Sequence, residues 1–258
     1  KQSDMSVLNK NDKHFDEVVK DITNYKTYGY SEDNDLYIKD YEVKPNCTLI
    51  TYIVNDEEVK VKSPLLGQFN IENLSCALLI GMSLGFDLYH LLRNIDKLSI
   101  SGRMNSINLG QDYYVLVDYA HTPNGLARLF EFTNKLEVNK KIVVTSNAGE
   151  RDASKRKYVG KLCADNNDHV IFTYEDPRFE DPYNVVKDLC ELIKDKTNYE
   201  TVIDREEAIN KAINMANKND LVMILGKGCE DWQEIKGEFI EFSDIEKAKQ
   251  AIMKRMNH

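Results

Sequence analysis

The feature that most constrains the fold is an alternation that begins near residue 113. Short apolar runs at residues 113–117, 141–145, 169–173, 200–203 and 221–225 read as strands. Helix-like segments at residues 123–136, 154–164, 184–194 and 205–217 lie between them. Strand-helix alternation with short connections predicts an α/β unit: a parallel, doubly wound sheet with right-handed crossovers. In such sheets ligands bind outside the carboxyl ends of the strands. The polar residues that follow each apolar run are therefore the first candidates for chemistry.

The first hundred residues follow another pattern. Residues 6–9 read as a short strand and residues 16–22 as a helix. Residues 35–43, 48–55 and 58–62 are rich in Tyr, Val and Ile, and their alternation predicts antiparallel strands. Asn55-Asp56 supplies a hairpin turn. Leu74, Ala77, Leu78 and Met82 recur at helical spacing, which predicts a buried helix over 70–85. A second helix is expected over 88–97. The change of pattern places a boundary near Ser101-Gly102-Arg103, giving domains at residues 1–101 and 102–258.

A chain of 258 residues suits one large domain or two ordinary ones. Its 42% hydrophobic content allows a real core. A net charge of -9 disfavours nucleic acid as a partner. No apolar stretch approaches the roughly 20 residues that span a bilayer, and residues 1–13 lack a signal peptide's apolar segment. The 5 cysteines have no CxxC spacing, which argues against structural zinc and for a reducing cytoplasm. No membrane partner and a monomeric, cytoplasmic protein are expected.

The first strand end delivers Asp118-Tyr119-Ala120-His121-Thr122-Pro123. The second delivers Asn147-Ala148-Gly149-Glu150-Arg151-Asp152 and then Ser154-Lys155-Arg156. Glu175-Asp176-Pro177-Arg178 ends the third, and Gly226-Lys227-Gly228-Cys229-Glu230-Asp231 the last. Gly149 permits unusual backbone conformations. Asp152 or Ser154 can cap the next helix. That helix's amino terminus, with Lys155 and Arg156 in its first turn, is a fair anion site. Arg151 and Arg178 suit forked recognition of carboxylate or phosphate, and Glu230 can hold an amine. Each cluster alone has a plain structural reading. Asp and His at a strand end often only fix a loop, Lys155-Arg156 can be a solvated helical face, and Asp176-Pro177 is a common turn. The signal is their recurrence at four strand ends.

With those clusters in view, the chain resembles the Mur ligases, and within them the MurE type that adds the third amino acid of the peptidoglycan stem. The matching stretches are Val7-Leu8-Asn9-Lys10-Asn11-Asp12, Gly67-Gln68-Phe69-Asn70-Ile71-Glu72-Asn73, Gly102-Arg103-Met104 and the four clusters, in family order. The resemblance implies that residues 1–101 are the latter part of a central ATPase domain. Residues 102–258 would be a Rossmann-like, mostly parallel carboxy-terminal domain that presents the incoming amino acid. By similarity Asn70, Asn73, Arg103, Asp118 and His121 contact ATP, and Lys155 lies towards its phosphates as the catalytic residue. Arg151, Asp176, Arg178, Gly226 and Glu230 would line the amino-acid pocket. The implied partners are a UDP-MurNAc-dipeptide and a diamino acid. The implied cofactors are ATP and Mg2+, with the metal ligands outside this chain.

Three motifs depart from the family pattern. Asn105 follows Gly102-Arg103-Met104 where Glu is usual, Glu175-Asp176 replaces Asp-Asn, and Cys229 replaces His. Arg178 favours meso-diaminopimelate over L-lysine, because an Arg fork matches a distal carboxylate. Asp176 is expected to neutralise Arg178 in part. No G-x-x-G-K-[ST] loop occurs in these residues, so the chain reads as a fragment and is expected not to hydrolyse ATP alone. Rival readings are a cyanophycin or folylpolyglutamate synthetase-like ligase and a non-catalytic ligase-like binding module. Absence of G-x-G-x-x-G after the first strand of the second half disfavours a dinucleotide-dependent oxidoreductase.

Overall fold

The computed structural model describes residues 4–98, 100, 102 and 104–257. The chain divides into two compact units, Lys1–Ser99 and Ile100–His258.

The first unit is built on a five-stranded sheet in the order β1-β2-β3-β4-β5. Its strands are β1 (Ser6–Asn9), β2 (Tyr25–Gly29), β3 (Leu36–Lys44), β4 (Cys47–Val54) and β5 (Glu57–Ser63). β1, β2 and β3 run parallel, whereas β3, β4 and β5 form antiparallel hairpins. Asn55 and Asp56 turn between β4 and β5 with φ of 50° and 65°, the left-handed pair that matches strand twist in a two-residue hairpin. β2 was not expected, because Tyr25-Lys26-Thr27-Tyr28-Gly29 carries no aliphatic residue. The short helix α1 (Phe15–Val18) continues as a 3-10 turn. Helix α2 (Gln68–Ser83) buries Ile71, Leu74, Leu78 and Leu79 against Leu36, Ile38, Ile50, Tyr52 and Val54. The helix expected over 88–97 is instead α3 (Leu88–Leu92) and a separate 3-10 turn, Ile95–Lys97. Asn94, at φ -122° and ψ 25°, breaks it.

The second unit holds a six-stranded sheet in the order β10-β9-β8-β11-β7-β6. The strands are β6 (Asn105–Ile107), β7 (Tyr114–Asp118), β8 (Lys141–Thr145), β9 (His169–Phe172), β10 (Tyr199–Thr201) and β11 (Leu221–Leu225). All neighbours pair in parallel except β6 with β7. A separate hairpin joins β12 (Trp232–Ile235) to β13 (Glu238–Glu241). The helices are α4 (Pro123–Thr133), α5 (Arg156–Asn166), α6 (Pro182–Leu189), α7 (Arg205–Met215) and α8 (Asp244–Met256). Side chains of Thr122, Asp181 and Asp204 accept backbone N–H bonds at the starts of α4, α6 and α7. The loops after β7, β9 and β10 thus close in helix caps, which satisfy donors the helix cannot use. Cap Asp181 and Pro182 start α6 ahead of the expected residue 184.

One face of the sheet packs Val115, Val117, Val144, Ile171, Val222 and Ile224 against Ala208, Ile209, Ala212 and Ile213 of α7 and Ala248, Ala251 and Ile252 of α8. The alternate residues Leu116, Val143, Val170 and Met223 are buried too. They point to the opposite face by strand alternation, where α4, α5 and α6 pack side by side. Burial of both faces explains why these strands read as continuous apolar runs. The strands that carry the four polar clusters, β9, β8, β11 and β7, are consecutive in the sheet. Their loops therefore lie side by side at one edge. No helix among the described residues is long and apolar enough to cross a membrane.

Candidate functional site

A lysine that enters no hydrophobic pattern stands at the centre of this edge. Lys227 follows all-buried β11 and is itself fully buried. Its Nζ lies 2.9 Å from Asp176 Oδ1, 3.0 Å from Glu230 Oε2 and 5.2 Å from the centroid of the Trp232 ring. A buried ammonium is tolerated only when paired in this way. Lys227 therefore fixes Asp176 and Glu230, from two different strand ends, at one place. Its position between two glycines directly after a fully apolar strand was the available signal, and sequence reasoning passed over it.

Asp176 also accepts from the backbone N–H of Glu234, at 3.1 Å. The expectation that Asp176 neutralises Arg178 is not met, because the Asp176 carboxylate is turned to Lys227. The partner of Arg178 is Glu234, whose Oε2 lies 2.9 Å from Nε. Arg178 Nη1 donates to the Gly149 carbonyl at 3.1 Å. Glu230 has a second contact, since Tyr119 donates its hydroxyl to Glu230 Oε1 at 3.4 Å. Burial, then the nearby Glu230 carboxylate, raises the Tyr119 phenol above its ordinary pKa and keeps it a donor.

Glycine is required at two positions for different reasons. Gly226 has φ 119°, and a Cβ there would collide with the Glu175 carboxylate. Gly149 is needed for close approach rather than for an unusual φ. Its N–H donates to the Asp176 carbonyl at 2.8 Å, and a Cβ would meet the Pro177 carbonyl oxygen. The β8 and β9 loops are joined there backbone to backbone.

Beneath these loops lies a buried polar layer. Glu175 is enclosed, and burial pushes its carboxyl up to about 7; Arg205 and Lys227 oppose the rise, while Asp176 and Asp244 add to it. Arg205, fully buried, makes a two-pronged pair with Asp244, Nε and Nη2 each at 2.7 Å, and Nη2 also donates to the Leu225 carbonyl at 3.0 Å. The end of β11 is thereby tied to the first residues of α7 and α8.

Asp118 is buried at the end of β7, where its carboxylate accepts from Met104 N at 2.7 Å and Ala120 N at 2.8 Å. Its carbonyl accepts from Gly226 N at 3.1 Å. Asp118 thus anchors the turn that precedes β6 to the end of β7. His121 Nδ1 donates to the Tyr119 carbonyl at 2.8 Å, and Asn147 Nδ2 donates to the His121 carbonyl at 3.0 Å. Arg103 lies outside the described residues.

Two cations expected together are separated by the fold. Lys155 ends a 3-10 turn, half-exposed and without an ion pair among the described residues. Arg156, expected on the same anion site, is instead buried. It grips Glu180 with Nη1 at 2.6 Å and Nη2 at 2.7 Å, and Asp188 at 3.0 Å. The anion site read from both cations is therefore corrected: Arg156 braces α5 against α6. Asp152, not Ser154, caps the 3-10 turn ahead of α5, accepting from Ser154 N at 3.1 Å, and α5 itself, preceded by Lys155, has no side-chain cap. Arg151 is exposed, and its side chain makes no ion pair among the described residues.

In the first unit Asn70 is buried, and its Nδ2 donates to the Leu66 carbonyl at 2.7 Å. Asn73 is exposed and reaches Asn70 Oδ1 at 3.4 Å. Among the described residues no group of three or more His, Cys, Asp or Glu side chains is placed to hold a metal ion.

Comparison with known proteins gives a consistent picture. Residues 1–81 match the family described as "Mur ligase middle domain", and residues 102–228 match "Mur ligase, glutamate ligase domain". A UDP-N-acetylmuramoyl-L-alanyl-D-glutamate--2,6-diaminopimelate ligase from Bacillus licheniformis is 35% identical, over 88% of this chain and 46% of the relative. The ligase of the same name from Trichormus variabilis is 34% identical, over 97% of this chain and 52% of its own length. A solved structure of such a ligase superposes with a TM-score of 0.78 at 32% identity, over 98% of this chain and 54% of the other. A folylpolyglutamate synthase from Thermotoga maritima shares the fold, with a TM-score of 0.60 at 19% identity. The chain spans about half the length of the curated relatives it matches.

Proposed function

Because the chain belongs to the Mur ligase family, we propose that the protein containing it forms an amide bond in peptidoglycan synthesis. The reaction joins a diamino acid, meso-diaminopimelate before L-lysine, to UDP-MurNAc-L-Ala-D-Glu. ATP, as co-substrate, gives its γ-phosphoryl group to the dipeptide carboxylate, forming an acyl phosphate and ADP. The amine of the incoming amino acid attacks that carbonyl, phosphate leaves, and the amine sheds a proton. No step is routed through a metal ion held by these residues.

The single observation that carries this reading is the strand-end cluster of the second unit: carboxylates of Asp176 and Glu230 fixed by Lys227, beside the guanidinium of Arg178. Opposite charges at fixed separation suit an amino acid that bears both an ammonium and a carboxylate at its distal end. Arg178 and Arg151 serve the carboxylate, and Asp176 and Glu230 the ammonium, while Gly226 keeps the backbone beside them open. Asp118 holds the loop whose His121 is directed to the nucleotide, and Lys155 is assigned to the phosphates. Asn70, bonded to the Leu66 carbonyl, fixes the first turn of α2, the helix that presents Asn73. The diaminopimelate ligases among the chain's relatives, at 31–35% identity, favour diaminopimelate. They weigh against the cyanophycin and folylpolyglutamate readings, and the intact amino-acid cluster weighs against a non-catalytic module.

The test is product formation by the full-length protein supplied with ATP, UDP-MurNAc-dipeptide and diaminopimelate. The expected product is the UDP-linked tripeptide with one phosphate released per bond. Absence of product with either diamino acid contradicts the proposal. The 258-residue chain by itself is expected to release no phosphate from ATP, since it contains no phosphate-gripping loop. The protein is assigned to the cytoplasm, where its nucleotide substrates occur.

A further inference from the structure

We propose that Glu234, outside every sequence cluster, sets the preference between diamino acids with and without a distal carboxylate. This inference rests on the amino-acid pocket assigned above. Glu234 lies on β12, and three hydrogen bonds hold this stretch against the β9 loop. Arg178 N donates to its carbonyl at 3.0 Å, its own N–H donates to Asp176 Oδ1 at 3.1 Å, and Lys236 N donates to the Arg178 carbonyl at 2.8 Å. Arg178 itself sits at φ 54° in a parallel bridge with Ile235. The side chains of Arg178 and Glu234 are 15% and 21% exposed, so water screens their pairing only weakly.

The guanidinium offers donors along two edges, and a carboxylate binds best when it takes two parallel N–H bonds. Glu234 occupies Nε and the Gly149 carbonyl takes a bond from Nη1. Nη2 is the guanidinium nitrogen left without a hydrogen bond among the described residues. A distal carboxylate therefore meets a fork with one edge filled and a carboxylate already beside it. A distal ammonium is disfavoured by Arg178 and attracted by Glu234, Asp176 and Glu230. Around the pocket floor three carboxylates accompany two cations, Arg178 and Lys227. Glu234 thereby narrows the advantage that Arg178 confers on a carboxylate-bearing substrate.

The test measures kcat/KM for diaminopimelate and for lysine with full-length wild-type, Glu234→Gln and Glu234→Leu proteins. Gln keeps an acceptor for Nε and removes the charge, while Leu removes both. The ratio of diaminopimelate to lysine is expected to rise about tenfold in each variant, as removal of one charged hydrogen-bond competitor implies. An unchanged ratio overturns the proposal. A lowered ratio also overturns it, because Glu234 would then be orienting Arg178 for the carboxylate. Loss of folding in the Gln variant, read by circular dichroism, overturns it as well, since the pair would be a structural brace. Wild-type protein that uses neither amino acid overturns the functional reading and this inference together, which separates that failure from the others.

Discussion

Glu175 shows how a single residue can be legible as part of a motif and illegible in its energetics. Its place in the third strand-end cluster was read from sequence, but its enclosure next to Arg205 depends on residues far along the chain. Burial raises its folded pKa from 4.5 to about 7. Below pH 4.5 the carboxyl is protonated in both states, and folding pays no penalty. Between pH 4.5 and 7 the unfolded chain loses the proton first, so stability falls as pH rises. Glu175→Gln is expected to flatten that fall and to raise stability at pH 8 by on the order of 2–3 kcal/mol. Urea unfolding at pH 5 and pH 8 checks it, and equal stability of the two proteins at pH 8 contradicts it. Lys227 marks the same limit of sequence reading. Its partner Asp176 lies 51 residues away, and no local pattern announces the pair.

Elements were legible where an apolar run and a cap coincide. β7, β8, β9 and β11 were expected because burial on both faces makes them continuously apolar, and α4 and α7, expected from the alternation, start where the side chains of Thr122 and Asp204 cap them. The misses have separate physical causes. β2 carries no aliphatic residue, β6 is only three residues long, and β13, Glu238-Phe239-Ile240-Glu241, is exposed throughout. α8 was likewise not expected, although it closes one face of the second core. Its first residue, Asp244, is fully buried against Arg205 at the start of α7. Removing one partner of such a pair strands a charge in the interior. Asp244→Ala is therefore expected to lower stability by about 3–5 kcal/mol, and a loss below about 1 kcal/mol in denaturant unfolding would place the pair among weak surface bridges.

At the scale of the whole molecule, the chain is two compact units, and the family motifs fall on both. The order of the motifs was readable from sequence. What sequence could not supply was the strand permutation that places β11 between β8 and β7 and so brings Lys227 to Asp176. That placement makes four separate loops into one basin of fixed charge, in which Arg178 is proposed to read a distal carboxylate. The most direct test compares kcat/KM for diaminopimelate and lysine in full-length wild-type and Arg178→Ala proteins, each with ATP and the UDP-linked dipeptide. Wild-type protein is predicted to prefer diaminopimelate. The substitution is predicted to cut its use by roughly 10- to 100-fold, as loss of one charge-assisted hydrogen bond implies, and to change lysine use by less than about threefold. Equal losses for the two amino acids, or no loss for either, would contradict the account.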